Sequence, residues 1–282
     1  MPFEFGKPML DDRALEDAGI CARTLHKWYL TMCSKGKKEN QLSMTFTDKA
    51  LLRTGDGTNN NALAVKDLFD LFKFLPMDIA LVKFYELYLC RKNQASPPKD
   101  FAFLDPAGVS TGSKLEAKDK VRYISNALKD MTGNNKKYLM IPFNEENHWI
   151  LIVIVPTYNA ALYLDSLGSR RRTHNGTSQL IKSAYDQYLK ETVDYRPPSG
   201  LELEQKYNFE CHKHSSTDLC GFYVCHHMRL IVEKLKGDPA DLKLPSRQLT
   251  KHELSCVREE LSLFINTEVI DKHGQYHLPY LK

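Results

Sequence analysis

Apolar positions along the chain follow two spacings, a helical one and a strand-like one, and their order outlines the fold. The first sixty or so residues are polar and patchy. They hold one short helical pattern around Leu25 to Met32 and end in the loop Thr54-Gly55-Asp56-Gly57-Thr58-Asn59-Asn60-Asn61. From Ala62 the pattern becomes regular. Val65, Leu68, Phe69 and Phe72 recur at helical spacing, Pro76 breaks the run, and Ile79, Val82 and Leu87 resume it up to Cys90. A loop with Ser96-Pro97-Pro98 leads into an extended stretch from Phe101 to Pro106. Val121, Ile124 and Leu128 mark the next helix, which Gly133-Asn134-Asn135 ends.

The middle of the chain is strand-rich. Tyr138 to Pro142, Trp149 to Val155 and Ala161 to Asp165 are β-branched or aromatic runs, with Pro156-Thr157-Tyr158-Asn159 as the turn between the last two. Leu180, Ala184 and Tyr188 predict a helix, Tyr207 to Cys211 a further strand, and Gly221 to Leu235 and Leu249 to Ile265 two more helices. Helices flanking a central, mostly antiparallel sheet make an α+β architecture. Residues 1–61 are expected to be an N-terminal extension and residues 62–282 the principal domain.

A chain of 282 residues with 42% hydrophobic and 26% charged content is ordinary for a globular protein. The net charge of +4 is too mild to argue for nucleic acid, and the basic runs at Lys35, Lys37, Lys38 and at Arg170-Arg171-Arg172 read as solvated surface. The start, Met1-Pro2-Phe3-Glu4-Phe5, lacks the basic and apolar regions of a secretory signal, and the apolar run Ile150 to Val155 is too short to span a membrane. The seven cysteines have no framework spacing. These features lead us to expect free thiols in the nucleus or cytoplasm.

In that setting Cys220 is informative. Thr217-Asp218-Leu219-Cys220-Gly221-Phe222 runs from a polar loop into an apolar helix, which places the thiol at or near a helix N-terminus. Unpaired N–H groups and the positive dipole end there favour the nucleophilic thiolate. Ser215-Ser216-Thr217-Asp218 supplies capping residue types, and Gly221 is expected to let a substrate backbone approach. The plainer reading, a buried cysteine acting as a small hydrophobe, suits Cys225 better. His148 precedes the most hydrophobic strand and Asp165 closes the next. Hairpin pairing puts those ends side by side, where a carboxylate fixes an imidazole's tautomer.

His148-Trp149, Tyr163-Leu164-Asp165-Ser166-Leu167 and Cys220-Gly221-Phe222-Tyr223-Val224 together resemble the ubiquitin-like-protein-specific (SUMO) cysteine protease family, relatives of the adenovirus proteinase. The order His, Asp, Cys, with separations of 17 and 55 residues, fits that family. The likeness runs from about Ala62 to the C-terminus and is greatest to divergent members encoded in plant transposable elements. The resemblance implies a papain-like, adenovirus-proteinase-like fold and a catalytic domain over residues 62–282. It also implies hydrolysis after the C-terminal glycine of a ubiquitin-like modifier, SUMO first among them, with no cofactor and no metal. His148 would be the general base, Asp165 its orienting partner and Cys220 the nucleophile. Trp149 would cover the tunnel for the modifier's diglycine tail. The expected partners are the modifier and its conjugates, met by a monomer, without membrane or nucleic acid.

Two positions depart from the family pattern. His214 stands where the family has an oxyanion-binding glutamine, and it is expected to be a weaker, pH-sensitive substitute. Leu75 stands where many members have a second tunnel tryptophan. Two other readings remain open: a modifier-binding module of the same fold without activity, and a zinc protein built on Cys211, His212, His214, Cys220, Cys225, His226 and His227.

Overall fold

The computed structural model describes residues 2–36, 41–46, 51–52, 59–92, 100–167, 174–192, 202–215 and 218–278. At its centre the run HWILIVIV forms strand β6 (His148–Val155), buried along its whole length. A strand apolar on both faces must be covered on both, and it must pair on both edges to satisfy its backbone. Antiparallel neighbours meet this need: β5 (Tyr138–Glu145) on one side and β7 (Ala160–Leu164) on the other, with Val153 opposite both Met140 and Leu162.

Beyond this trio the pairing changes. β4 (Phe101–Leu104) lies parallel to β5, β2 (Leu51–Leu52) parallel to β4, and β8 (Glu204–Lys206) parallel to β7. The sheet order is β2-β4-β5-β6-β7-β8. The expected mostly antiparallel sheet is therefore corrected to a mixed one. Parallel neighbours need a crossover, which α5 (Ala117–Gly133) supplies between β4 and β5 and α6 (Asn175–Glu191) between β7 and β8. The α+β class stands.

Side-chain alternation divides the core. Ile150, Ile152 and Ile154 of β6 pack with Ile124 and Leu128 of α5 and Tyr185 and Tyr188 of α6. Trp149, Leu151, Val153 and Val155 point the other way. There they join α3 (Val65–Lys73), α4 (Ile79–Lys92), α7 (Cys220–Lys234) and α8 (Lys251–Phe264). A capping box between Thr250 and Glu253 starts α8, and a π turn (Ile265–Ile270) continues it. The strand expected at Tyr207 to Cys211 is displaced to β8, because only Glu204–Lys206 pairs with β7. Tyr207 instead packs its ring on Tyr163, 5.0 Å away.

The segment read as an extension enters the same core. After α1 (Asp12–Asp17), helix α2 (Ile20–Ser34) buries Ala22, Leu25, Tyr29 and Met32. The Glu259 carboxylate of α8 accepts the N–H groups of Gly19, Cys21 and Ala22 at 3.1, 3.0 and 3.3 Å, satisfying donors that a helix start leaves unpaired. Strand β3 (Asn59–Ala64) runs across Ala62 and pairs with β1 (Gln41–Phe46). The Ser96-Pro97-Pro98 loop, the Arg170-Arg171-Arg172 run and residues 54–58 lie outside the described residues.

Cutting the chain at Ala62 would bare the face of α8 that α2 covers. Each buried aliphatic or aromatic side chain is worth about 1.5–3 kcal/mol. The fragment 62–282 is expected to melt at least about 5 °C below the full chain, a shift that a few kcal/mol produces in a domain of this size. Thermal unfolding followed by circular dichroism checks this, and equal melting temperatures would make residues 1–61 dispensable.

Candidate active site

The hairpin between β5 and β6 is the first positioning device. Its central residues, Glu146 (φ 51°) and Asn147 (φ 68°), both take left-handed backbone, the mark of a primed two-residue turn. This fixes Glu145 opposite His148. On the other edge Leu151 pairs with Leu164, so Asp165, one residue on, emerges on the same face as His148. Their side chains meet: His148 Nε2 lies 2.7 Å from Asp165 Oδ1, and both residues are buried. The N–H of Leu167 donates to the same oxygen at 2.9 Å. Burial pushes the Asp165 carboxyl up. The hydrogen bond and charge of His148, the Leu167 N–H and the charge of His174 outweigh it, so the group sits below its ordinary value and is ionised.

An ionised Asp165 only accepts, so the ring proton of neutral His148 is on Nε2. Nδ1 then carries the lone pair, and it is buried with no hydrogen-bond partner. The next residue along β6, Trp149, donates its backbone N–H to Cys220 Sγ at 3.3 Å. The thiol is thus held one residue from the imidazole that has a free basic nitrogen.

Cys220 is the first residue of α7, as its sequence context predicts, but the cap is different. Leu219 is the N-cap and makes no side-chain capping bond. Ser216 and Thr217 lie outside the described residues. Burial raises the Cys220 thiol above its ordinary value, partly offset by the N–H groups of Trp149, Gly221 and Cys220 itself, while Asp165 adds to the rise. The resting group is a thiol, and its proton has to be taken by a base. Gly221 has a role other than the expected one. A Cβ there would lie 2.6 Å from the Met77 Cβ, so the glycine makes room for Met77 rather than for a substrate backbone.

Trp149 is 2% exposed, its indole in the core, where Nε1–H donates to the Met77 carbonyl at 3.0 Å. Leu75, two residues from Met77, is among the exposed large apolar side chains. His214 is held beside the site by its backbone N–H to the Ser166 carbonyl (2.8 Å), by Nε2 against Ser166 Oγ (3.0 Å) and by its ring on Tyr223 (4.4 Å). Burial, with His148 nearby, lowers its pKa to about 4, so it is neutral above that pH and its expected pH sensitivity does not extend to neutral conditions.

The cysteine- and histidine-rich segment does not assemble the zinc set. Cys211 Sγ faces the Asp165 carbonyl, and Cys225 is deep in the core. Among the described residues, the metal-ligating types that converge are His212, His226 and Glu253, with one ligand atom each within 4.8 Å of the others. Their chemistry does not fit a cation. Arg229 donates to His226 Nδ1 at 3.0 Å, which leaves the ring proton on Nε2. Arg247 occupies both Glu253 oxygens, each at 2.7 Å. Two guanidinium groups oppose a metal ion there.

Sequence reasoning missed His174. It precedes α6 with φ 41°, is buried, stacks on Tyr163 at 5.6 Å, and places its ring nitrogens against Glu145 and Asp165. A histidine following an arginine run carries no local sign of this.

A mixed-sheet α+β fold with a thiol at a helix start, an imidazole opening the central strand and a carboxylate closing its neighbour defines the class of papain-like cysteine proteases. The family model of the Ulp1 protease family, C-terminal catalytic domain, matches residues 82–272, and the chain belongs to that family. Ubiquitin-like-specific protease 2 of Schizosaccharomyces pombe (strain 972 / ATCC 24843) is 29% identical over 132 residues, 45% of this chain and 21% of that protein. The chain thus spans at most a fraction of that curated relative's length. The X-ray structure of the C-terminal Ulp1 protease domain in complex with Smt3, the yeast ortholog of SUMO, superposes with a TM-score of 0.53 at 15% identity, covering 91% of this chain and 96% of that one. The SUMO protease Ulp1 with its catalytic cysteine oxidised to a sulfinic acid gives 0.54 at 14% identity, covering 91% and 95%. At these identities the likeness establishes the fold.

The raised thiol sets an expectation for alkylation. At fixed pH the thiolate fraction falls as the pKa rises, so iodoacetamide is expected to modify Cys220 at pH 7 more slowly than the half-exposed Cys256. The Cys220 rate should keep climbing above pH 9. Peptide mass spectrometry over a pH series reads both rates, and a fast, pH-independent Cys220 would mean a resting thiolate instead.

Proposed function

We propose that this chain is a cysteine peptidase and isopeptidase that hydrolyses the bond after the C-terminal glycine of a ubiquitin-like modifier, SUMO in the first place, through Cys220, His148 and Asp165. The observation that carries the reading is the 2.7 Å contact of His148 with Asp165, which leaves Nδ1 without a hydrogen-bond partner, while the N–H of the next residue holds the Cys220 thiol. Family membership supports the reaction class. The name of the fission-yeast relative and the Smt3 complex support the modifier.

In the first step His148 Nδ1 takes the Cys220 proton and the sulfur attacks the glycine carbonyl carbon. Negative charge develops on the carbonyl oxygen. His148, now protonated and paired with Asp165, gives its proton to the departing amine as the C–N bond breaks, leaving a thioester. A water then loses a proton to His148 and attacks the thioester carbon. The C–S bond breaks and the thiol is restored.

We assign His214 to the oxyanion. The Ser166 hydroxyl against Nε2 fixes the ring beside the site, and a neutral imidazole offers one N–H donor. Trp149, through its backbone, holds the sulfur, and its indole is assigned to the wall beside the modifier's tail. We place the activity in the nucleus or cytoplasm, acting as a monomer. All seven cysteines are free. Among the described residues no helix is long and apolar enough to cross a membrane.

A SUMO derivative bearing a C-terminal electrophile tests the reading. Wild type is expected to form a covalent adduct, Cys220→Ala to form none, and Asp165→Asn to lose about 10³- to 10⁴-fold in rate, as when a triad carboxylate is neutralised. Binding without an adduct in wild type would make the chain a modifier-binding module. Separately, His214→Gln is expected to raise kcat several-fold and His214→Ala to lower it, by up to about a hundredfold if the donor is lost. A glutamine variant no faster than wild type would remove His214 from the oxyanion site.

A further inference from the structure

A chain of contacts leads away from the active-site carboxylate on the side that His148 does not occupy. Asp165 Oδ1 is taken by His148 and the Leu167 N–H. Its other oxygen, Oδ2, faces His174 Nε2 at 3.5 Å, an electrostatic contact longer than a good hydrogen bond. The other nitrogen of the same ring, Nδ1, lies 2.9 Å from Glu145 Oε2. Glu145 Oε1 in turn accepts from Thr177 Oγ1 at 2.6 Å. The His174 side chain is 1% exposed, and those of Asp165 and Glu145 are 7% and 24% exposed.

Both ring nitrogens of His174 face carboxylate oxygens, which accept and cannot donate. The contacts are therefore complete when the ring carries a proton on each nitrogen, as a cation between two anions. Isolated, such a buried charge would be costly, and here each neighbour offsets it. The backbone at His174, at φ 41°, is in the left-handed region, and residues in such conformations concentrate at functional sites. The stack on Tyr163, itself in contact with Tyr207, fixes the plane of the ring. Among the described residues, Lys120, Glu145 and Glu146 are the charged groups that line, with His174, a cleft of about 650 Å³.

We infer that His174 is a positioning residue that clamps Asp165 from behind and anchors it to Glu145, keeping the carboxylate aimed at His148. The inference rests on the hydrolase reading above and adds a second imidazole to its site. The charge of His174 is one of the influences that hold Asp165 below its ordinary value. Removing it raises the carboxyl, so Asp165 takes up a proton at higher pH and the acid side of the activity profile retreats upward.

The test uses the full chain and SUMO carrying a C-terminal fluorogenic amide, with kcat and KM measured separately from pH 3 to 9. His174→Ala is expected to lower kcat about tenfold, within the hundredfold that a small misplacement costs, with KM within about twofold. Its acid limb should move to higher pH. Glu145→Gln should act in the same direction, and the double variant should lose no more than His174→Ala alone, because the two act as one unit. His174→Asn accepts the left-handed backbone and carries the test if the alanine variant does not fold.

Unchanged kcat and acid limb in a folded His174 variant, or fully additive losses, would overturn the inference. A reading independent of turnover is the His148 Nε2–H proton in NMR, expected to be sharp and exchange-protected in wild type and broadened without His174. If wild type does not cleave the substrate, the hydrolase reading fails and this signal alone decides the role of His174. Loss on substitution supports the clamp and persistence refutes it.

Discussion

Strand β6 is paired along both edges and covered on both faces, and this double confinement determines where every reactive group lies. Its register with β5, set by the primed turn at Glu146 and Asn147, makes His148 its first residue. Its register with β7 brings Asp165 out beside that histidine. Its own backbone, through the Trp149 N–H, reaches the sulfur of α7. A slip of one residue would turn His148 to the opposite face and present Trp149 to Asp165, so the burial that stabilises the strand also specifies the chemistry. A long run of buried β-branched residues is a rigid mount, and rigidity is what a proton transfer between preset groups requires.

The electrostatics follow from the same burial. In a site closed to water, a charge persists only where partners replace its hydration. Asp165 has them: His148, the Leu167 N–H and His174 around its carboxylate, with Lys213 Nζ on its backbone carbonyl at 2.6 Å. Among the described residues Cys220 is bonded by backbone N–H groups alone, which offset burial only in part, and it is held as a thiol. The standing negative charge is thus on oxygen; in the proposed reaction a second one forms on sulfur when His148 takes the thiol proton, and Asp165 keeps its own. Such a division suits the proposed nucleophile, which shares the chain with six other free cysteines, because a permanently ionised sulfur would be the first to oxidise.

What was legible in the sequence had short-range causes. The β-branched run of β6, the helical spacing of Val65, Leu68, Phe69 and Phe72, and the closing of β7 at Asp165 all follow from local periodicity, and the structure carries each of them. The pairing of His148 with Asp165 was readable because hairpin-linked strand ends are neighbours. The rest depends on distant partners. Glu259, which caps α2, lies 240 residues from Gly19, so nothing near Ile20 signals that the N-terminal segment belongs to the core. Trp149 is buried by Met77, 72 residues away, and the same Met77 explains Gly221. The parallel edges of the sheet depend on where α5 and α6 return the chain, which periodicity does not encode. Leu75 is exposed beside the segment that covers Trp149.

Beneath Cys220, α7 carries a layer of histidines that extends this logic. His226 and His227 lie against His212, with ring centres 5.1 and 5.7 Å away, and His214 reaches the same layer through Tyr223. Burial is the main cause that lowers all four, His226 to about 3 and His214 to about 4. Neutral imidazoles of this kind pack as polarisable rings and keep α7 fixed without adding charge beside the thiol. Their folded values lie below the ordinary one, so between the two the unfolded chain binds more protons and stability declines as pH falls through the ordinary histidine range. Acid therefore acts on this layer before it neutralises Asp165, whose own value is held low. Helix α7 is thus more acid-sensitive than the Asp165 carboxylate, and this order follows from which buried groups were given counter-charges and which were not.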